Sequence, residues 1–158
     1  MDTNNLNNKT NSELTYILRW CSDSEIRNAA WTVLAGKNPT NSELTYILRW
    51  CSDSEIRNAA WTVLADNVGL SHIDEKKLIK QIANNVIERP GSLNMNSWHC
   101  GTSHCLAGWA CVLDEDVMEV EKKESTQIAG AAALPSYVHL FYSDNDTVLQ
   151  VLENINKN

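Results

Sequence analysis

Apolar residues recur at helical spacing in the first part of the chain. One face of residues 10–21 and one face of residues 22–35 are apolar: Leu14, Ile17, Leu18 and Cys21, then Ile26, Ala29, Ala30, Val33 and Leu34. Thr10 with Glu13 fits the capping box that begins many helices, and Ser22 with Glu25 fits it too. The pattern therefore predicts two short helices joined as a hairpin.

The hairpin pattern occurs twice. Residues 10–35 recur letter for letter at residues 40–65, which is 26 identical positions at a spacing of 30. Repeats of this length are single supersecondary units that bury their apolar faces by stacking on a neighbour. We expect residues 10–65 to form a short α-solenoid of two tandem identical helical hairpins.

The second half of each copy resembles a known repeat class. Its sequence SDSEIRNAAWTVLA is similar to the second helix of HEAT-type and leucine-rich-variant repeats. The matching positions are Asp23, Ile26, Arg27, Ala29, Ala30 and Leu34, then Asp53, Ile56, Arg57, Ala59, Ala60 and Leu64. The resemblance implies a solenoid that presents a surface to another protein. The unit is shorter than a usual HEAT repeat of about 40 residues and nearer to a leucine-rich variant in length.

Residues 66–158 read as a helical domain. Apolar stripes predict helices that end near Pro90, Leu113 and Pro135, and a last one from Ser143 or Asp144. The acidic residues 114–124 favour a solvated loop or short helix, and no segment favours a strand. Residues 1–9 are polar and are predicted to be disordered. The fold class is therefore all-α, with the two hairpins packed on a compact helical C-terminal domain.

Composition and charge narrow the classes of function. The chain has 158 residues, 43% of them hydrophobic, with 13 basic and 20 acidic side chains and a net charge of −7. The acidic balance argues against binding to a nucleic-acid backbone. We find neither a signal sequence nor an apolar segment long enough for a membrane helix, and the odd count of five cysteines favours free thiols. We expect a cytoplasmic protein.

Potential chemistry is densest in residues 92–113. His99, Cys100, His104 and Cys105 lie within seven positions. The leading interpretation is structural, with Thr102 capping a helix that carries Cys105 in its first turn. A zinc or iron–sulfur site at these four residues is an alternative, because they supply nitrogen and sulfur ligands.

A cysteine-dependent enzyme is the third interpretation of this region. In it Cys105 is the nucleophile, since a position in the first turn of a helix favours a thiolate. His139 would be the base, with Asp144 or Asn145 orienting its ring. The string CGTSHCLAGWA also resembles a CGTxxCxAGWA motif of small uncharacterised bacterial and phage proteins. That resemblance implies a small helical domain, and it implies no activity.

The repeats carry the leading hypothesis for function. We expect a non-enzymatic module that binds another protein, with no cofactor unless zinc is bound. Four tryptophans are candidates for the binding surface, although aromatic residues at helical spacing more often pack between units: Trp20, Trp31, Trp50 and Trp61. Two exact copies also allow a homo-oligomer or a domain-swapped dimer, because either copy fits the same docking position.

Overall fold

The computed structural model describes residues 3–89 and 91–158 and confirms the all-α class. The helices are α1 Asn11–Trp20, α2 Ser24–Gly36, α3 Asn41–Trp50, α4 Ser54–Val68, α5 Glu75–Glu88, α6 Leu106–Leu113, α7 Glu115–Lys123, α8 Thr126–Ala133 and α9 Asn145–Lys157. The 3-10 segments Thr3–Asn8 and Pro135–Leu140 are helical as well. The strands β1 (His99–Cys100) and β2 (Ser103–His104) pair antiparallel, so the prediction of no strand is wrong at this one hairpin.

The described chain divides into two compact units, one ending at Asn67 and the other spanning Val68–Asn158. In the first unit α1 packs against α2 and against α3. Leu14, Leu18, Leu34 and Leu44 are buried in its core. The predicted apolar faces of α1 and α2 are buried at Leu14, Ile17, Leu18, Ala30 and Leu34 and half-buried at Cys21, Ile26, Ala29 and Val33.

The helix caps explain where the repeat helices begin. At α1, Thr10 Oγ1 accepts from the backbone N–H of Glu13, while the Glu13 carboxylate accepts from the N–H of Thr10. The prediction that Ser22 forms a capping box with Glu25 is wrong, because Asp23 is the N-cap of α2. Its Oδ1 accepts from two N–H groups, those of Glu25 and Ile26. A carboxylate interacts more favourably than a hydroxyl with the positive end of a helix.

The N-terminal segment is ordered where the structure describes it. Thr3–Asn8 forms a 3-10 helix against α2, and its Leu6 is fully buried. The prediction of disorder over residues 1–9 is therefore wrong for residues 3–8, because one apolar side chain is enough to dock a polar segment. Positions 1 and 2 lie outside the described residues.

The helices of the second unit pack as one connected set. Its α5 packs against both α9 and α6, and α6, α7 and α8 pack against one another. Gly130 allows α8 to approach α6, since a Cβ there would lie 2.5 Å from the Cβ of Ala107. The acidic segment forms α7, which Asp114 caps and which buries Val117 and Val120. Among the described residues, no helix combines the length and apolar character needed to cross a bilayer.

Deletion of residues 10–39 tests whether one repeat unit is dispensable. We expect the shortened chain to unfold cooperatively in urea, because stacked repeats contact mainly their neighbours. About a fifth of the chain is lost, so the m value should fall by about a fifth. Loss of a cooperative unfolding transition would contradict the stacking of the two repeat copies.

Candidate functional site

A row of arginine and aromatic side chains joins α1 to α3. The guanidinium of Arg19 lies 3.8 Å from the ring centroid of Trp50 and 4.5 Å from that of Trp20. Its Nη1 donates to the hydroxyl of Tyr46 at 3.1 Å. Arg49 lies 4.3 Å from the Trp50 centroid. Two cationic groups therefore contact Trp50, one from each copy of the repeat.

Much of this row is open to solvent. Tyr16 is 63% exposed, Trp20 62% and Trp50 36%. The rings of Tyr16 and Trp20 are neighbours, with centroids 6.5 Å apart. We call Tyr16, Arg19, Trp20, Arg49 and Trp50 the repeat surface. It joins aromatic rings and guanidinium groups, the side chains most enriched in binding hot spots.

The four tryptophans predicted from the sequence separate into two pairs. Trp20 and Trp50 belong to the repeat surface, whereas Trp31 on α2 and Trp61 on α4 are half-buried. Sequence reasoning missed Tyr16 and Arg19. The order Tyr-x-x-Arg-Trp was the available signal, because positions three and four apart on a helix are neighbours.

Arg27 forms a second link between the copies. It donates from Nη1 to the backbone carbonyl of Cys21 at 2.9 Å, and its Nη2 lies 3.7 Å from Oδ2 of Asp53. Both side chains of this ion pair are less than one-fifth exposed. Arg27 thus has a structural role, because it bridges an aspartate of the second copy and a carbonyl of its own copy.

In the second unit the Cys/His motif begins with the small hairpin. Gly101 occupies its turn at φ +60°, a backbone conformation that glycine adopts without strain. The register pairs His99 with His104, so the two imidazoles come together. Their Nδ1 atoms are 2.7 Å apart. The hairpin therefore makes one histidine pair from two separate positions.

A glycine allows this hairpin to lie directly against α6. A Cβ at Gly108 would collide with the carbonyl oxygen of Trp98, and it would lie 3.2 Å from atoms of both His99 and His104. The ring of Trp109 meets that of His104 edge to face at 5.1 Å. A glycine inside a helix can mark such a close contact, and here the missing Cβ makes room for the hairpin.

Glu121 completes a hydrogen-bonded cluster. Its Oε2 lies 2.7 Å from Nε2 of His99 and accepts from the hydroxyl of Thr126 at 2.8 Å. When neutral His99 donates from Nε2, its Nδ1 is an acceptor for the Nδ1–H of His104. The histidine pair, Glu121 and Thr126 thus form one continuous chain of hydrogen bonds.

The titration of the cluster follows from its environment. Burial, and then the neighbouring His99, lower the pKa of His104. At Glu121 burial is the largest influence and raises the pKa, but hydrogen bonds from His99, Thr126 and Cys111 together bring it below its ordinary value. Glu121 is therefore a carboxylate and His104 a neutral ring at physiological pH.

The structure corrects the role expected of Cys105. It is itself the cap of α6, which begins at Leu106, and Thr102 lies in the hairpin turn. Its Sγ accepts from the N–H of Gly108 at 3.3 Å, but burial has the larger effect and raises the pKa of the thiol. The predicted thiolate is therefore wrong, because the side chain is 1% exposed. Cys105 borders a cavity of about 330 Å³ with Trp98 and Phe141.

The proposed partners of a Cys105 nucleophile have other roles. His139 lies exposed in the 3-10 segment before α9. Asp144 caps α9 by accepting from the N–H of Thr147, and Asn145 Oδ1 accepts from the N–H of Met95 at 2.7 Å. Within the described parts of the chain, no hydrogen bond joins His139 to Cys105 or Asp144.

The four predicted metal ligands are only partly brought together. His99 and His104 pair, whereas Cys100 is exposed and Cys105 is buried at the helix cap. Over residues 3–89 and 91–158, no three His, Cys, Asp or Glu side chains are arranged to hold a metal ion. Of these four residues, the structure therefore brings together only the two histidines.

Sequence reasoning missed Glu121, which was counted among solvated acidic residues. Only 21% of its side chain is exposed. Glu121 comes four residues after the buried Val117 and directly after the buried Val120. Residues four apart lie on the same side of a helix, so Glu121 lies toward the buried face of α7. That spacing was the signal that distinguishes it from the other acidic residues of the segment.

No protein-family model matches this chain, and neither the curated proteins nor the solved structures gave a match to it. The geometry of the two regions described above is therefore the basis for inferring a function.

Cysteine labelling tests whether the motif holds a reactive thiol. We expect alkylation near neutral pH to modify exposed Cys100 first and half-buried Cys21 next. Cys51, Cys105 and Cys111 should react slowly, because burial raises the pKa of each thiol. Mass spectrometry of the labelled chain measures the order. Labelling of Cys105 ahead of Cys100 would revive the nucleophile hypothesis.

The histidine pair predicts that acidification destabilises the fold. Because the pKa of His104 is lower in the folded state, the unfolded state binds more protons as pH falls below the ordinary value of 6.5. The free energy of unfolding should therefore drop between about pH 7 and 5.5, and the Glu121 contribution should be lost at lower pH still. His104→Gln should flatten the first drop and His139→Gln should retain it. Urea titrations at each pH measure the effect, and an equal drop in both variants would contradict it.

Proposed function

We propose that this protein is a non-enzymatic interaction module whose repeat surface binds another protein. The observation that carries the proposal is the exposure of Tyr16 and Trp20 beside the Arg19 guanidinium. Large aromatic side chains lose much solvent contact and little conformational freedom when they bind, so they suit a protein interface. The arginine beside them can donate hydrogen bonds to a carboxylate or a backbone carbonyl of the partner.

The rigidity of the surface supports the same proposal. Arg19 contacts Tyr46 and Trp50 of the other copy, so its side chain is ordered before any partner arrives. Order in the free protein reduces the entropy lost on binding. The overall charge of −7 disfavours nucleic acid as the partner.

The Cys/His motif fits a structural role within the second unit. Its histidines hydrogen-bond each other and Glu121, and its buried cysteine caps α6. We therefore give the motif no catalytic part in the proposed function.

Site-specific photo-crosslinking tests the proposal. Benzoylphenylalanine should replace Tyr16 in one sample and Tyr142, a 52% exposed residue of the second unit, in the matched control. In cells that naturally produce the protein, we expect position 16 to capture a discrete partner protein and position 142 not to. Adding Trp50→Ala should reduce capture about 10-fold, as for a hot-spot side chain. Equal capture at both positions, or none at position 16, would contradict the proposal.

A further inference from the structure

One edge of α3 is occupied by side chains of α1. Glu43 Oε1 accepts a hydrogen bond from Asn11 Nδ2 at 3.3 Å. Arg19 donates to the Tyr46 hydroxyl and lies over the Trp50 ring. This edge of α3 therefore presents a glutamate, a tyrosine and a tryptophan to a neighbouring helix. The neighbouring helix binds the edge through an asparagine and an arginine that are eight residues apart.

The same edge recurs on α1 because the two helices have identical sequences. Glu13, Tyr16 and Trp20 correspond to Glu43, Tyr46 and Trp50. We call these three residues of α1 the outer edge. They are exposed, and Trp20 is 62% exposed where its counterpart on α3 is 36% exposed.

A groove of about 350 Å³ lies beside Glu13 and Tyr16 of the outer edge. Glu13 and Tyr16 line it, together with Lys9, Ser12 and Ile17. Lys9 stands 3.5 Å from the Glu13 carboxylate, in a solvent-exposed ion pair that is weak enough to exchange for another donor. The outer edge thus offers a carboxylate and two aromatic faces to an incoming cation.

We propose that the outer edge docks an α-helix of a partner protein that carries an asparagine and an arginine eight residues apart on one face. The partner then continues the α1–α3 interface by one further helix. Its arginine stacks on Trp20 and donates to Tyr16, and its asparagine donates to Glu13. This inference rests on the proposed function, since it names the chemistry of the partner that the repeat surface binds.

A separate protein fits this edge better than a second copy of the chain. In a second copy Asn11 and Arg19 are already held against α3. On α3, the equivalent asparagine Asn41 is oriented by a hydrogen bond that its Oδ1 accepts from Asn67 at 3.0 Å, and the equivalent arginine Arg49 lies 4.3 Å from the Trp50 centroid. The helix that docks must therefore bring its own asparagine and arginine.

A helix-stapled peptide with the sequence of residues 10–21 serves as the probe. Isothermal titration into the full-length protein, up to about 1 mM peptide, should give saturable binding. Replacing the peptide arginine with glutamine should weaken binding about 10-fold, and so should Trp20→Ala in the protein. Val112→Ala alters an exposed residue of the second unit and should leave the affinity unchanged.

Three outcomes would overturn the inference. The first is that the peptide does not saturate the protein by about 1 mM. The second is that the arginine and glutamine peptides bind equally well. The third is that the protein self-associates with increasing concentration and that Trp20→Ala abolishes this self-association. The last would assign the outer edge to a second copy. If the titration fails while crosslinking from position 16 still captures a partner, only the arginine-helix inference is wrong. Failure of both experiments removes the proposed function as well.

Discussion

The guanidinium of Arg19 joins two copies of one sequence into a single structure. It contacts the Trp50 ring and the Tyr46 hydroxyl across the α1–α3 interface, and it also contacts Trp20 on its own helix. A cation held between aromatic faces in a half-buried position is worth more than an exposed surface ion pair. The difference between the two copies follows from this contact. The first copy supplies Arg19 and stays open, whereas the second copy receives it and is partly covered.

The second unit depends on a different close contact. Gly108 lets the backbone of Trp98 lie on α6, and this brings the histidine pair beside α7 and its Glu121. The histidines and Cys105, which the sequence marked as candidates for chemistry, are thereby engaged in packing and hydrogen bonding. Burial keeps the Cys105 thiol neutral, and hydrogen bonds keep Glu121 charged. The cluster stabilises the fold most when His104 is neutral and Glu121 is ionised.

Local pattern predicted the helices well, because apolar spacing and capping residues act within one or two turns. The Thr10 box and the final helix capped by Asp144 are examples. Contacts between distant residues were not predictable in the same way. The pairing of His99 with Glu121 joins positions 22 residues apart, and it depends on how α7 packs. Trp20 is more exposed than Trp50, its counterpart in the second copy. Because the two copies have identical sequences, this difference could not be predicted from them.

A double-mutant cycle on Arg19 and Trp50 tests whether their contact joins the two copies of the repeat. The free energy of unfolding would be measured for the wild type, Arg19→Met, Trp50→Leu and the double variant. We expect a favourable coupling energy of about 0.5–2 kcal/mol between the two side chains, as for a partly desolvated cation on an aromatic ring. Additive effects, with a coupling indistinguishable from zero, would contradict the claim that this contact joins the two copies.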